Sequence, residues 1–197
     1  MADDKPPRVA VFAGINGAGK STASRHILVN VLGINTFTNA DAIARGLNGI
    51  NPEGEAIRAS RVMLAHLHEQ AAAREDIAFE TTLAARTYAG WLRGLRDAGY
   101  EVYLYYFWLD SPEAAIERVA ARVRAGGHHI PEPTIRQRYA RTIRNFFDLY
   151  QPICSAWHVY DNSGGGSRLV AWLTAADGEV VRDPDTWVLI RRSAGYE

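Results

Sequence analysis

The sequence predicts one α/β domain with a mostly parallel sheet flanked by helices. Three observations predict it. Short apolar runs alternate with segments of helical spacing along the 197 residues, the pattern of parallel strands joined by crossover helices. The run Val102–Leu109 is apolar or aromatic throughout, as suits a strand covered on both faces. The first run, Arg8–Ala13, passes through a glycine-rich turn directly into a helical segment. Composition agrees. At 47% apolar and 22% charged residues, the chain can bury a core and is not disordered.

The elements follow in order. Arg8–Ala13 reads as a buried strand and residues 21–31 as the helix after the turn. Residues 35–39 read as a short second strand, and 41–55, with three glycines and a proline, as a loop-rich insertion. Ile57, Val62, Leu64, Leu67 and Ala71 give helical spacing over 56–74, and Ile77–Glu80 is a third strand. Tyr88, Trp91, Leu92 and Leu95 form one helical stripe, which Gly99 is placed to end. After the strand 102–109, Ser111-Pro112-Glu113 is a helix start: cap, proline at the first position, acid in the first turn. That helix stops at Gly126-Gly127, and another runs from 131–134 to about Tyr150. Trp157–Tyr160 is a fifth strand. Residues 168–192 suggest a carboxy-terminal hairpin appendage turning at Asp177-Gly178, then a last short element.

Several function classes fall away. No stretch approaches the ~20 continuous apolar residues of a membrane span. The single Cys154 excludes an internal disulfide framework and a multi-cysteine zinc site. Residues 1–7 are polar, with no signal-peptide core, so a disordered tail and a cytoplasmic protein are expected. The formal net charge is zero, unlike that of most nucleic-acid binders, and neither nucleic acid nor membrane is an expected partner. The charge is nevertheless uneven. Of 22 basic residues only Lys5 and Lys20 are lysines. Between Ala114 and Asn145, arginines 118, 122, 124, 136, 138, 141 and 144 face only Glu117 and Glu132. A solvated helical face and an anion-binding surface both fit; the guanidinium fork matches phosphate oxygens.

The strongest chemical signal is Gly14-Ile15-Asn16-Gly17-Ala18-Gly19-Lys20-Ser21. A glycine, four residues, then Gly-Lys-Ser, between a strand and a helix, is the phosphate-binding loop. Its backbone N–H groups and the helix N-terminus cradle phosphates. Lys20 would reach the β- and γ-phosphates of ATP, and the Ser21 hydroxyl would hold Mg²⁺. The nucleotide site expected here comprises Gly14, Asn16, Gly17, Ala18, Gly19, Lys20, Ser21 and Thr22. Asp41 lies just after the second apolar run, where ligands gather in open parallel sheets. Its carboxylate reads either as a base for a substrate hydroxyl or as an N-cap of the following turn. Glu80 ends the third strand, where an unpaired carboxylate would be costly to bury; it is a candidate for Mg²⁺ or for a substrate hydroxyl. Thr82 and Arg86 follow it as candidate substrate contacts.

The arginine segment then reads as a lid over 112–150. Arg118 and Arg122 share one helical face, Arg138 and Arg141 the next, and Gly126-Gly127-His128-His129-Ile130-Pro131 could hinge between them. Closure would bring positive charge to the moving phosphate and exclude water. His128 and His129 lack carboxylate or cysteine partners nearby in sequence, so no metal site is expected there.

Taken together, GINGAGKST at 14–22, NADAIA at 39–44, FETTL at 79–83, VYLYYFWL at 102–109, ERVAARVRAGGHHIPEPTIRQRY at 117–139 and YDNS at 160–163 resemble the zeta-toxin family of small P-loop kinases. The segments span about three quarters of the chain, in the family's order. The resemblance implies a kinase-type P-loop fold with a five-stranded sheet of order 2-3-1-4-5. It implies transfer of the ATP γ-phosphate to a sugar hydroxyl of UDP-N-acetylglucosamine, and an antitoxin protein as partner. Lys20 and Ser21 would be the phosphate and Mg²⁺ ligands, and Asp41 the base. Glu80 and Thr82 would contact the sugar nucleotide. Arginines of the 118–141 region would clamp phosphates, with Arg118 and Arg122 as catalytic candidates and Arg138 as a substrate contact, and Asn162 and Ser163 would lie near the adenine. Ile15 stands where many relatives have proline, and the chain lacks the long carboxy-terminal extension of the larger toxins. The wider fold also serves kinases of other nucleotides, NAD among them. A non-catalytic nucleotide switch is the remaining alternative.

Overall fold

The computed structural model describes residues 5–196. The first four residues of the expected tail lie outside the described residues. Six strands form one sheet in the order β2-β1-β3-β4-β5-β6. They are β1 (Arg8–Ala13), β2 (Ile77–Thr81), β3 (Glu101–Trp108), β4 (Ala156–Asp161), β5 (Arg168–Thr174) and β6 (Gly178–Val181). The first four are mutually parallel, and β5 and β6 run antiparallel at one edge. This is the P-loop kinase-like α/β fold. The central strands are apolar throughout because two cores flank them. Val9, Val11, Leu104 and Tyr106 enter one core, while Ala10, Phe12, Tyr105 and Phe107 enter the other. Alternating side chains on a pleated strand produce that division. Helices α1 (Lys20–Ile27) and α5 (Pro112–Arg124) cover the second core. Helices α3 (Ala56–Ala72), α4 (Thr87–Asp97), α6 (Glu132–Asn145) and α7 (Pro184–Ala194) cover the first. Among the described residues no helix is long and apolar enough to cross a membrane.

Three local expectations change. Residues 35–39 are not a strand; only Thr38 bridges to Phe79, beyond β2 at the sheet edge. The chain leaves the sheet there because the Asn39 side chain accepts from the Asp41 and Ala42 N–H groups and starts a helix. That helix, α2 (Ala40–Leu47), replaces the front of the supposed loop. Asn39, not Asp41, is its cap, and Gly46 sits in its last turn. Second, the carboxy-terminal hairpin is part of the sheet rather than an appendage, since β5 pairs along β4. The last element, α7, lays Trp187 flat on Trp157, with ring centroids 5.8 Å apart. Third, the lid segment is half core. Phe146, Phe147 and Tyr150, in the wide turn that ends α6, are buried in the main hydrophobic cluster.

The topology assembles a site at the carboxyl ends of the strands. β1 and β2 are in register with Phe12 opposite Glu80, so the turn after β1 and the end of β2 meet. Trp108 pairs with Asp161, which brings Asn162 and Ser163 to the end of β3.

Candidate active site

The turn after β1 has one possible shape. Gly14 sits at φ 140°, and a Cβ there would lie 2.3 Å from the Phe107 carbonyl oxygen. Gly17, at φ 85°, would place one 2.9 Å from the Ala115 carbonyl oxygen. Side chains are excluded at both by left-handed backbone and by contact with neighbouring main chain. The turn delivers Lys20, 5% exposed, to the start of α1. Its Nζ donates to the Ile15 carbonyl at 3.0 Å and lies 3.5 Å from Glu80 Oε1.

Glu80 ties three elements together. Its Oε2 accepts from Ser21 Oγ at 2.6 Å and from Asn39 Nδ2 at 2.9 Å, while its other oxygen faces Lys20. The carboxylate is therefore paired, which answers the desolvation cost of its position. Ser21 and Glu80 place hard oxygen donors side by side. They suit a cation whose remaining ligands are phosphate oxygens and water. Among the described residues no cluster of three or more His, Cys, Asp or Glu could hold a metal alone.

A cavity of about 480 Å³ opens between the turn, α2, α3, the end of β2 and α6. Its lining includes Asn16 and Lys20 of the phosphate loop, Glu80 of β2, Asp41 of α2, Met63 of α3, Thr82, Tyr88 of α4, and Arg138 and Arg141 of α6. Asp41 is in the first turn of α2 and raises the basicity of Arg138, whose own value is nevertheless lowered by burial. Arg138 Nη1 donates to Asn16 Oδ1 at 3.2 Å, joining α6 to the phosphate loop. Burial also raises the Tyr88 phenol above its ordinary value.

The sequence-predicted residues divide accordingly. The structure brings Asn16, Lys20, Asp41, Glu80, Thr82 and Arg138 to one cavity. It does not bring Arg118 and Arg122 there. Arg118 Nη2 is engaged by the carbonyl oxygens of Asn162, Ser163 and Gly164, with 2.5 Å to the first. Arg122 Nη2 holds the His128 carbonyl at 2.7 Å. Both guanidiniums cap main-chain turns, an outcome their helical spacing alone could not show. Arg86 is exposed and lines a neighbouring depression with Arg141 and Arg144. Asn162 is buried beside the phosphate loop, where Nδ2 donates to the Ala18 carbonyl at 2.6 Å. Its Oδ1 is buried without a protein partner, which leaves an acceptor for a ligand N–H. Ser163 Oγ accepts from the Asp110 N–H.

Some site residues escaped sequence reasoning. Asn39 gave a signal in its capping position, directly before Ala40-Asp41-Ala42. Tyr88 gave only the signal of a helical stripe, and Met63 none beyond its apolar character. Tyr88 and Trp91 do pack on Phe79, at 5.0 and 6.0 Å between centroids, so one residue serves both the core and the cavity wall.

Comparison with known proteins agrees with this architecture. An uncharacterized protein of Haemophilus influenzae is 31% identical over 130 residues, covering 65% of this chain and 89% of its own. The chain superposes on the AvrRxo1-ORF1:-ORF2 complex with ATP at TM-score 0.74 and 15% identity, over 96% of its length. It spans only 64% of the matched chain there. A structure of the PezAT chromosomal toxin-antitoxin system of Streptococcus pneumoniae matches at TM-score 0.62 and 15% identity, over 99% of this chain and 88% of the other. A gluconokinase from Sinorhizobium meliloti matches at 0.52 and 20% identity, over 81% and 84%. At such identities these likenesses speak for the fold. A family model described as an AAA domain matches residues 9–143, more than half of the sequence, and the chain belongs to that AAA domain family.

Proposed function

We propose that the chain is a single-domain small-molecule kinase that transfers the γ-phosphoryl group of ATP to a hydroxyl of a nucleotide sugar, UDP-N-acetylglucosamine. The observation that carries this reading is the shared cavity. A phosphate-binding loop with a buried lysine, the Asp41 carboxylate and two arginines line the same space. The structure with ATP among the matched folds supports the donor, and the gluconokinase supports a hydroxyl acceptor. The nucleotide sugar comes from the sequence resemblance.

In this reading the backbone of 14–19 and Lys20 hold the β- and γ-phosphates. Lys20 sits within ion-pair distance of Glu80 and would exchange that contact for the phosphate. Asn162 Oδ1 would accept from the base. Ser21 and Glu80 would hold Mg²⁺, which supplies charge neutralisation at the phosphates when bound. Asp41 takes the acceptor's hydroxyl proton as the oxygen–phosphorus bond forms and the bond to the departing ADP breaks. Arg138 compensates charge across the cavity, and Thr82 orients the acceptor. Arg118 and Arg122 fix the walls rather than the phosphates. An antitoxin protein is the proposed partner, in line with the toxin-antitoxin system among the matched folds.

The test is incubation with ATP, Mg²⁺ and UDP-N-acetylglucosamine, followed by mass spectrometry. One added phosphate on the sugar nucleotide is expected. Phosphorylation of another metabolite in a mixed pool would replace the acceptor and keep the kinase. ATP binding without any transfer would leave a nucleotide switch.

A further inference from the structure

The loop that closes the acceptor side has a strained backbone. Leu83 is a fully buried leucine at φ 58°, in the left-handed region that L side chains avoid. Such a conformation persists only where its surroundings over-determine it. The Leu83 and Ala84 N–H groups donate to the Thr81 and Thr82 hydroxyls within the loop, and three of the loop's carbonyls are held from one side, by α6 and the turn that ends it. The Thr142 hydroxyl donates to the Thr82 carbonyl. Asn145 Nδ2 donates to the Leu83 carbonyl at 2.6 Å, and the Tyr150 hydroxyl donates to the Ala85 carbonyl at 2.7 Å. All three side chains are buried. Thr142 and Asn145 are three residues apart on α6, and Tyr150 is in the turn that ends it. The Tyr106 hydroxyl backs Thr142 from β3.

The same helix carries Arg138 and Arg141 into the cavity that Thr82, Ala84 and Ala85 line. The arginines and the acceptor wall thus have a common support. A hinge at Gly126-Gly127 that swung α6 outward would break three buried hydrogen bonds and leave three carbonyls unpaired, an expensive movement. Arg122 further ties that connection by holding the His128 carbonyl.

We infer that Thr142 is a positioning residue for acceptor binding: with Asn145 and Tyr150 it fixes loop 82–85 to the helix bearing Arg138 and Arg141, so that acceptor wall and arginines form one rigid body. This rests on the reading of the cavity as a kinase acceptor site. The nucleotide side, built on the loop 14–21, meets this body at Arg138 and Asn16, at Glu80 just before the braced loop, and where Ile135 of α6 packs in one cluster with Ile15 and Ala18.

The experiment compares the full chain with Thr142→Val, which keeps shape and removes the hydroxyl, and Thr142→Ser, which keeps the hydroxyl. Tyr106→Phe serves as a control, since Thr142→Val also strips the Tyr106 hydroxyl of its partner. Hydrogen exchange is followed in a peptide spanning loop 82–85 and in one spanning the phosphate loop. ATP affinity is measured by calorimetry, and transfer to UDP-N-acetylglucosamine by steady-state kinetics. Thr142→Val is expected to speed exchange in the acceptor loop alone and to raise the sugar-nucleotide KM about tenfold, with ATP affinity unchanged. Thr142→Ser and Tyr106→Phe are expected to stay close to the parent. Unchanged exchange at 82–85 in Thr142→Val would overturn the inference, as would equal losses of ATP and acceptor affinity. If the parent transfers nothing to this probe, the acceptor assignment fails by itself, and the exchange comparison still decides the brace.

Discussion

The phosphate-loop side of the cavity and its acceptor side are built by opposite means. The first is eight consecutive residues between one strand and one helix, with its shape dictated by glycines at 14 and 17. The second draws Asp41, Met63, Thr82, Tyr88 and Arg138 from five separate places in the chain. Its shape is dictated by side chains that reach across, Thr142, Asn145 and Tyr150 to the loop after β2. Local construction makes the first side intolerant of an added Cβ at Gly14 and Gly17. Distributed construction makes the second tunable, because each contributor can change while the others stay. One fold can in this way keep a donor and exchange acceptors.

The largest effect is expected where the local side is broken. Gly14→Ala drives a Cβ into the Phe107 carbonyl, and a loss of about 3 kcal/mol of stability follows from the clash and the strained φ together. Thermal unfolding, with and without Mg-ATP, measures it. The expected variant melts lower and gains nothing from nucleotide. Lys20→Ala should leave the fold intact and lower turnover by about a thousandfold through lost phosphate stabilisation. Turnover close to the parent's would remove Lys20 from the chemistry.

A pair of arginines sharpens the comparison. Arg138→Ala should lower kcat/KM for the acceptor by about a hundredfold, with little change in melting temperature. Arg118→Ala should do the reverse. It leaves three carbonyls of the 162–164 turn without their donor and should cost about 2 kcal/mol, or roughly 4 °C or more in Tm. If Arg118→Ala instead abolished turnover in a fully folded protein, the lid reading of that residue would return.

The smallest effect tests a region remote from both walls. His158 lies stacked on Tyr105, centroids 5.1 Å apart, with Nδ1 buried and without a hydrogen-bond partner. Burial lowers its pKa from the ordinary 6.5, and Asp177 only partly opposes this. The folded protein thus keeps the imidazole neutral while the unfolded chain takes up a proton as pH falls through 6.5. Its contribution is fully present above that pH and shrinks below it, down to the depressed folded value. Melting curves between pH 7.5 and pH 5, on the order of the range where histidine titrates, should fall less steeply in His158→Phe than in the parent.

The same contrast explains what could be read from sequence. The phosphate loop was legible because its function resides in consecutive residues whose spacing has one physical use. Four strands were legible from apolar runs, while their order around β1 was an implication of the family resemblance. The acceptor side was legible only in part. Glu80 stands near the end of β2 and Asp41 in the first turn of α2, just past the Thr38 bridge, and the structure places both in the cavity. Arg118 and Arg122 lie outside the cavity lining because helical spacing gives a shared face but not its target, and here the targets are carbonyls. Residues 35–39 looked like a strand until the capping of α2 by Asn39 took over. Thr142 and Asn145 carried no signal at all. Their roles exist only through carbonyls sixty and sixty-two residues away.

The central claim is that one cavity separates nucleotide binding from proton removal. Asp41→Asn tests it most directly, with ATP affinity and phosphate transfer measured on the same preparation. The account predicts parent-like ATP affinity and a loss of transfer of about a hundredfold to ten-thousandfold, the worth of a positioned base. Transfer at the parent's rate with Asn at this position would contradict it.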